Sequence, residues 1–179
     1  SRMNFDALYF GTLIQRLASS EAIRLILENC FFYEVFCDIN LRRDCYSRAG
    51  VETCFANATV LKISAEEEPL VREMEFYEPP PVGAGYYEAV SKELCRRYPL
   101  IKVVIFTMGE NGSFAYEKAT GKSYFAPAVP CRVVSTVGAG DSYSAAWFTA
   151  WYGGKTIPDA MRAASVLSSF VTAHKDAVP

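Results

Sequence analysis

A glycine-rich turn that leads into a predicted helix holds the residues best suited to chemistry. Its sequence is Ser135-Thr-Val-Gly-Ala-Gly-Asp-Ser142, and the largely apolar run from Ala139 to Tyr152 predicts a helix that begins inside the turn. Glycines let the backbone approach a ligand closely, and the free N–H groups at a helix start, helped by the helix dipole, bind anions. The turn therefore predicts a pocket for a phosphate group.

The carboxylate of Asp141 stands in the first turn of this predicted helix, where it repels a bound phosphate. Its presence is explained if it accepts the proton of a hydroxyl group that attacks the phosphate, as a general base does. The alternative is that Asp141 only caps the helix N-terminus. The spacing leaves both interpretations open.

Three further clusters of polar residues follow predicted strands, and open α/β sheets bind ligands where their strands end. The first cluster contains an acid, an amide and a guanidinium at Asp38, Asn40 and Arg42. These groups suit a sugar hydroxyl or a phosphate. A polar loop with an internal ion pair is the alternative.

The second cluster, Lys62-Ile-Ser-Ala-Glu-Glu67, places a carboxylate where it could organise a phosphate that carries magnesium. A helix N-terminus rich in acidic residues is the alternative. The third cluster, Thr107-Met-Gly-Glu-Asn-Gly112, is a flexible loop that would let a nucleotide approach, or simply a turn.

The elements that must position these clusters alternate between strands and helices, which predicts a three-layer α/β fold with a mostly parallel sheet. The predicted strands are Asp6–Gly11, Glu34–Asp38, Ala58–Ile63, a central Lys102–Met108, and an edge hairpin of Ser113–Glu117 with Lys122–Ala126. The predicted helices are Ser20–Glu28, Tyr87–Tyr98, Ala139–Tyr152 and Pro158–Ala173. Residues 68–87 are rich in proline and glycine and are predicted to be irregular.

The amino-acid composition and net charge exclude several classes of protein and of binding partner. The 179 residues are 51% hydrophobic, which fits about one globular domain. With 18 basic and 20 acidic residues the net charge is −2, so neither nucleic acid nor an anionic membrane is an expected partner. The six cysteines form no C-x-x-C pair, which argues against zinc and favours reduced thiols in the cytoplasm. A single histidine, His174, gives little support to a hydrolase with a histidine base.

Taken in chain order, the four clusters resemble motifs of the ribokinase-like (PfkB) family of carbohydrate kinases. The residues 38–42 match D-P-N-x-R, and 62–67 match K-x-N-x-x-E. The loop 107–112 matches T-x-G-x-x-G, and the turn 135–141 matches D-T-x-G-A-G-D. The resemblance implies a ribokinase-like, Rossmann-like sheet with helices on both faces.

The activity that the resemblance implies is phosphorylation of a sugar hydroxyl by ATP. Asp141 would be the base, and the backbone of Gly138, Ala139 and Gly140 would form the anion hole. Asp38, Asn40 and Arg42 would bind substrate or phosphate, while Glu67 would organise Mg²⁺ through water. The residues implied on the nucleotide side are Lys62, Ser64, Glu67, Thr107, Gly109, Gly112, Thr136, Ala173 and Ala177.

The chain also departs from the family pattern. Ser135 replaces an aspartate that commonly helps to hold a monovalent cation, which argues against activation by K⁺. Ile39 and Ser64 replace the proline and asparagine of two motifs, and a hydroxyl can still bind water near a metal. Family members are longer, so residues 1–179 are predicted to be the C-terminal part of one kinase domain, without the N-terminal lid and with poor turnover alone.

The acceptor is the least constrained part of the prediction. The segments Lys62–Glu68 and Phe106–Gly112 resemble fructokinase versions of their loops, which favours a fructokinase. A nucleoside kinase or another sugar kinase is the enzymatic alternative, and a non-catalytic fragment that binds nucleotide or sugar phosphate is the alternative of another class. The expected partners are a small sugar and ATP, together with a second copy of the chain in a homodimer.

Overall fold

The computed structural model describes residues 3–42, 45–74, 76–78, 80–81 and 83–179. Six strands and six helices follow one another along this part of the chain. The strands are β1 (Met3–Gly11), β2 (Cys30–Asp38), β3 (Val60–Ser64), β4 (Val103–Thr107), β5 (Ser113–Glu117) and β6 (Lys122–Ala126). The helices are α1 (Ala18–Asn29), α2 (Arg48–Asn57), α3 (Glu68–Glu73), α4 (Tyr86–Arg97), α5 (Ala139–Tyr152) and α6 (Ile157–Thr172).

The strands form one sheet in the order β1-β2-β3-β4-β5-β6. The pairs β1 with β2 and β2 with β3 are parallel, and Gly11, Asp38 and Lys62 lie in register across them. Four residues separate β5 from β6, a connection that only antiparallel neighbours allow. The predicted α/β fold with a mostly parallel sheet is therefore confirmed, with β4 inside the sheet and the hairpin at its edge.

Apolar strands form the core. Phe36, Leu61, Ile63 and Ile105 are fully buried. Strand β3 is buried up to Ile63 although it carries Lys62 at its centre, and β4 is a continuous run of β-branched and aromatic residues. Strands covered on both faces need this pattern, because neither set of alternating side chains reaches water. The polar residues that follow β2, β3 and β4 therefore lie just beyond the buried part of the sheet.

The chain divides into two compact units, which we describe separately. The N-terminal unit holds the described residues up to Ile105 together with Tyr116–Lys122, and the C-terminal unit holds Phe106–Ala115 and Ser123–Pro179. None of the helices in the described ranges combines the length and the hydropathy that a bilayer crossing requires.

Two helices were not predicted. The sequence of α2 includes glycine, threonine and valine, which are weak helix formers, yet the Ser47 hydroxyl caps it by accepting from the N–H of Gly50 at 3.0 Å. The segment 68–87 contains α3, whose proline lies in the first turn where it is tolerated. Within that segment Glu75, Pro79 and Val82 lie outside the described residues.

Candidate active site

The glycine-rich turn leads directly into α5. Gly138 is the N-cap residue, with φ of 81°, and Ala139 and Gly140 are the first two helical residues. Asp141 is the third helical residue and is exposed, and α5 has no side-chain cap hydrogen bond. Asp141 therefore lies after the N-cap position, which a glycine occupies, and its carboxylate is open to solvent.

Glycine at position 138 is required for two independent reasons. Its φ lies in the left-handed region, which side chains with a Cβ rarely adopt. A Cβ there would lie 2.8 Å from the Cβ of Ala177 and 3.0 Å from the Ala177 backbone. The turn thus rests on the C-terminal tail, and Gly138 of the predicted anion hole lies in contact with Ala177 of the predicted nucleotide site.

Backbone hydrogen bonds hold the turn against the end of α6. The N–H groups of Val134 and Ser135 both donate to the carbonyl oxygen of Thr172, at 2.9 and 3.2 Å. The Ser135 hydroxyl accepts from the N–H of Val137 at 3.2 Å, and the Thr136 carbonyl accepts from that of Ala139 at 3.2 Å. Ser135 therefore shapes the turn locally.

The loop 107–112 belongs to the same unit and closes on itself. Met108 donates from its N–H to the carbonyl oxygen of Gly112 at 2.8 Å around a short 3₁₀ turn that starts at Gly109. A buried hydrogen bond of 2.8 Å runs from the Tyr143 hydroxyl to the Ser113 hydroxyl next to this loop, and burial raises the pKa of Tyr143 to about 12. The loop that begins at Thr107 is therefore tied to the first turns of α5.

In the N-terminal unit, Asp38 and Lys62 form a buried ion pair. The Lys62 ammonium lies 2.7 Å from Asp38 Oδ2, and both side chains are 4% exposed. The Tyr9 hydroxyl donates to the same oxygen at 3.3 Å. Asp38 thus pairs with Lys62 of the neighbouring strand, whereas the alternative left open by the sequence was an ion pair inside the loop 38–42. Removal of either partner would leave a deeply buried charge.

Glu67 joins the ends of β2 and β3. Its Oε1 accepts from the N–H of Leu41 at 2.7 Å, and its Oε2 accepts from the N–H of Ser64 at 2.8 Å. The Glu67 N–H in turn donates to the Ser64 hydroxyl at 3.2 Å. Glu67 precedes α3 but forms no side-chain cap with it, so its carboxylate serves the strand-end loops and not the helix.

The loop after β2 carries the remaining residues predicted for substrate. Asn40 adopts φ of 45°, a left-handed conformation that asparagine tolerates better than most residues. The Arg42 Nε donates to Asn40 Oδ1 at 3.0 Å and leaves an exposed guanidinium. The Thr12 hydroxyl donates to the Ile39 carbonyl at 2.7 Å and fixes the loop from β1.

The donor groups fit a hydrated Mg²⁺ better than a metal held by protein alone. Within the part of the chain that the structure describes, no group of three or more His, Cys, Asp or Glu side chains could hold a metal ion. Mg²⁺ commonly keeps several waters and takes one or two carboxylates with substrate phosphates. Each Glu67 oxygen accepts one backbone N–H and keeps a second lone pair for such a water.

Sequence reasoning missed the residues that hold the predicted site residues in place within each unit, Tyr9 and Thr12 in the N-terminal unit and Ser113, Tyr143 and Ser168 in the C-terminal unit. The side chains of Tyr9, Thr12, Ser113, Tyr143 and Ser168 all form hydrogen bonds to site residues or their neighbours. Tyr143 and Ser113 lie inside predicted elements, so their types indicated only core and strand positions. A single sequence shows no spacing signal that separates such residues from ordinary ones.

Comparison with known proteins places these motifs in one family. The family model described as "pfkB family carbohydrate kinase" matches residues 3–179. A 5-dehydro-2-deoxygluconokinase from Listeria monocytogenes serotype 4a (strain HCC23) is 37% identical over 81 residues, which are 44% of this chain and 25% of that kinase. The chain thus matches about a quarter of the length of such curated relatives.

Solved structures show the same fold. A fructokinase from Vibrio cholerae O395, described as bound to fructose, ADP and calcium ion, aligns with a TM-score of 0.74 at 20% identity. That alignment covers 99% of this chain and 57% of the fructokinase. An aminoimidazole riboside kinase from Salmonella enterica aligns with a TM-score of 0.72 at 19% identity, covering 99% of this chain and 60% of that one.

Proposed function

We propose that this chain, which belongs to the pfkB family of carbohydrate kinases, takes part in transferring the γ-phosphoryl group of ATP to a sugar hydroxyl. The observation that carries the proposal is the start of α5. Gly138 turns the backbone so that the N–H groups of Gly138 and Gly140 can point at an anion, and the exposed carboxylate of Asp141 follows directly. Anion binding and a free base are the two functions that this transfer requires.

Each part of the α5 start has a distinct role in the proposal. The N–H groups of Gly138 and Gly140 bind the charge that develops on the transferring phosphoryl group, helped by the helix dipole. The N–H of Ala139, which was also predicted for the anion hole, instead donates to the Thr136 carbonyl at 3.2 Å. The Asp141 carboxylate accepts the proton of the attacking hydroxyl. The loop 107–112 and the tail residues Ala173 and Ala177 flank the nucleotide, with Thr136 beside them.

The N-terminal unit has candidate binding groups of its own. We propose that Asn40 and Arg42 bind sugar or phosphate, because their amide and guanidinium reach the surface, while Asp38 and Lys62 hold the strand ends through their ion pair. Glu67, with the Ser64 hydroxyl beside it, would hold water on Mg²⁺. When bound, Mg²⁺ neutralises charge on the phosphates of ATP.

Fructose is the acceptor that we propose first, on the likeness of the loops at Lys62 and Phe106 to fructokinase loops. A second acceptor is 5-dehydro-2-deoxygluconate, because the curated relative at 37% identity is named for a kinase of that sugar acid. A nucleoside is a third. All three present a hydroxyl group to the same base, so the acceptor changes the contacts to sugar and not the chemistry at phosphorus.

The test uses this chain within a complete kinase domain and measures transfer of labelled phosphate from γ-labelled ATP to each of these acceptors, with Mg²⁺ and with an excess of the divalent-ion chelator EDTA. We expect Mg²⁺-dependent labelling of one acceptor in preference to the others. The Asp141→Asn variant is the control for contaminating kinases, since a contaminant keeps its activity when this chain loses its base. Labelling that is equal in the wild-type protein and the variant would refute the proposal.

Nucleotide binding without transfer identifies the other class of function, a non-catalytic binder. Calorimetric titration with ADP and Mg²⁺ separates the two, because it needs no acceptor. Binding with no labelling of any acceptor would support the binder. Absence of binding in a folded sample would refute both roles for the α5 start.

A further inference from the structure

The carbonyl oxygen of Ala139 receives hydrogen bonds from two serine hydroxyls. Ser142 Oγ donates to it at 3.0 Å from within α5, the local bond that helical serines commonly make. Ser168 Oγ donates to it at 3.0 Å from α6, 29 positions further along the chain. The second bond is a tertiary contact, so the packing of α6 against α5 maintains it.

This carbonyl belongs to the same peptide group as the N–H of Gly140. A trans peptide is planar, and its C=O and N–H point in opposite directions. A hydroxyl that fixes the Ala139 oxygen therefore also fixes the direction of the Gly140 N–H. Hydrogen bonds in series polarise one another, so the bond from Ser168 makes that N–H a stronger donor.

We propose that Ser168 is a positioning residue for phosphoryl transfer, which orients and polarises the Ala139–Gly140 peptide so that the Gly140 N–H binds the charge that develops on the transferring group. The inference rests on the proposed function of the α5 start. Ser168 touches no substrate, and acts only through the peptide that it holds.

The side of α6 that carries Ser168 makes a second contact with the glycine-rich turn. Thr172 lies four residues after Ser168, which places both on one side of the helix. The Thr172 carbonyl accepts from the N–H groups of Val134 and Ser135, and its hydroxyl donates to the Ser168 carbonyl at 2.8 Å. Helix α6 thus fixes the turn at its entry and at its first helical peptide.

The adjacent residue Ser169 provides a matched control. Its hydroxyl also donates to a backbone carbonyl outside the helix, that of Val129 at 2.8 Å. Val129 lies before the glycine-rich turn and has no role in the anion hole. Ser168→Ala and Ser169→Ala therefore remove the same group from the same helix, and alanine favours the helix equally in both.

The experiment compares the wild-type protein with Ser168→Ala, Ser168→Thr and Ser169→Ala. Turnover is measured with the preferred acceptor, and affinity is measured for ADP alone and for ADP with aluminium fluoride, which mimics the transferring phosphoryl group. We expect Ser168→Ala to lower kcat about three- to tenfold, the effect of one hydrogen bond, with the KM for ATP unchanged. The same variant should bind ADP normally and the fluoride complex more weakly by a similar factor.

The controls decide between positioning and general stability. Ser169→Ala should match the wild-type protein in both readouts, and Ser168→Thr, which keeps a hydroxyl, should restore most of the loss even if Ser168→Ala unfolds. Equal kcat and equal fluoride affinity in the two alanine variants would overturn the inference, as would a Ser168→Thr variant as impaired as Ser168→Ala. A folded wild-type protein with neither turnover nor fluoride binding would instead refute the proposed function, and the inference with it.

Discussion

Two aspartates occupy the third position of their helices, and only one is free to act as a base. In α6 the Asp159 Oδ2 accepts from the Thr156 hydroxyl at 2.6 Å, and the Asp159 N–H donates to the same hydroxyl at 3.3 Å. This contact, together with Arg162, lowers the pKa of the Asp159 carboxyl. In α5 the side chain of Asp141 makes no such cap. Asp141→Asn and Asp159→Asn therefore form a matched pair, equal in chemistry and in helix position.

The two variants should separate catalysis from stability. Asparagine keeps the size of aspartate but cannot accept a proton, so Asp141→Asn should lower kcat by about 10²–10⁴, or about 3–5 kcal/mol in the barrier. Its cost in stability is limited to the interaction of a charge with the helix dipole, about 0.3–1 kcal/mol. That is a shift in Tm of no more than ~4 °C for a protein of this size. Asp159→Asn should lower Tm and leave kcat unchanged, because it weakens a cap far from the anion hole.

The assay measures kcat and KM for ATP with each variant, and Tm by circular dichroism. The KM for ATP should stay constant or fall for Asp141→Asn, since a negative charge near the phosphates is removed. A kcat for Asp141→Asn within about threefold of wild type would refute the assignment of the base, because a lost general base costs far more. An equal loss of kcat in Asp159→Asn would show that any change at a helix start disturbs turnover.

Three other perturbations test the supporting structure. Gly138→Ala should lower Tm more than Gly154→Ala. Both variants force alanine into a left-handed conformation, but the new Cβ meets Ala177 only at position 138, since nothing lies within 4 Å of a Cβ at position 154. Equal shifts in thermal unfolding would contradict this prediction. Lys62→Met should lower the free energy of unfolding by roughly 3–5 kcal/mol, because it leaves Asp38 buried without its cation. Urea titration measures that loss, and a cost below about 1 kcal/mol, typical of a surface pair, would refute it. The folded state keeps the proton of Tyr143 up to about pH 12, whereas the unfolded chain releases it near pH 10, so stability should fall between these values by up to about 1.4 kcal/mol per pH unit. Urea titrations at pH 9 and 11 should show a smaller fall for Tyr143→Phe, and identical falls would exclude Tyr143 as a contributor.

The motifs were predictable from sequence because each depends on backbone shape or on a strand end. Helix α5 begins at Ala139, as predicted, since the glycines and the apolar run that follows are both local signals. The central strand was predictable for a similar reason, because five successive apolar or β-branched residues are typical of a buried strand. Signals of this kind depend only on neighbouring residues, so a single sequence is enough to recognise them.

The contacts that depend on two distant segments were not predictable. The pairing of Asp38 with Lys62 follows from the register of β2 and β3, which places the two residues side by side. Ser168 and Ser169 are identical in sequence terms, and only the rotation of α6 directs the first toward Ala139. Helix α2 was missed because its stability comes from burial of one face and a serine cap, not from its composition.

Because Gly138 and Ala177 are in contact, the C-terminal tail should respond to ligand binding at the glycine-rich turn. Because the tail fills the space that a side chain at position 138 would take, the turn and the tail cannot move independently. A ligand that immobilises the turn should therefore also restrict the motion of the tail, since coupling between two sites is reciprocal. A fluorescent label attached at Lys175 would therefore report occupancy of a site formed by residues much earlier in the chain.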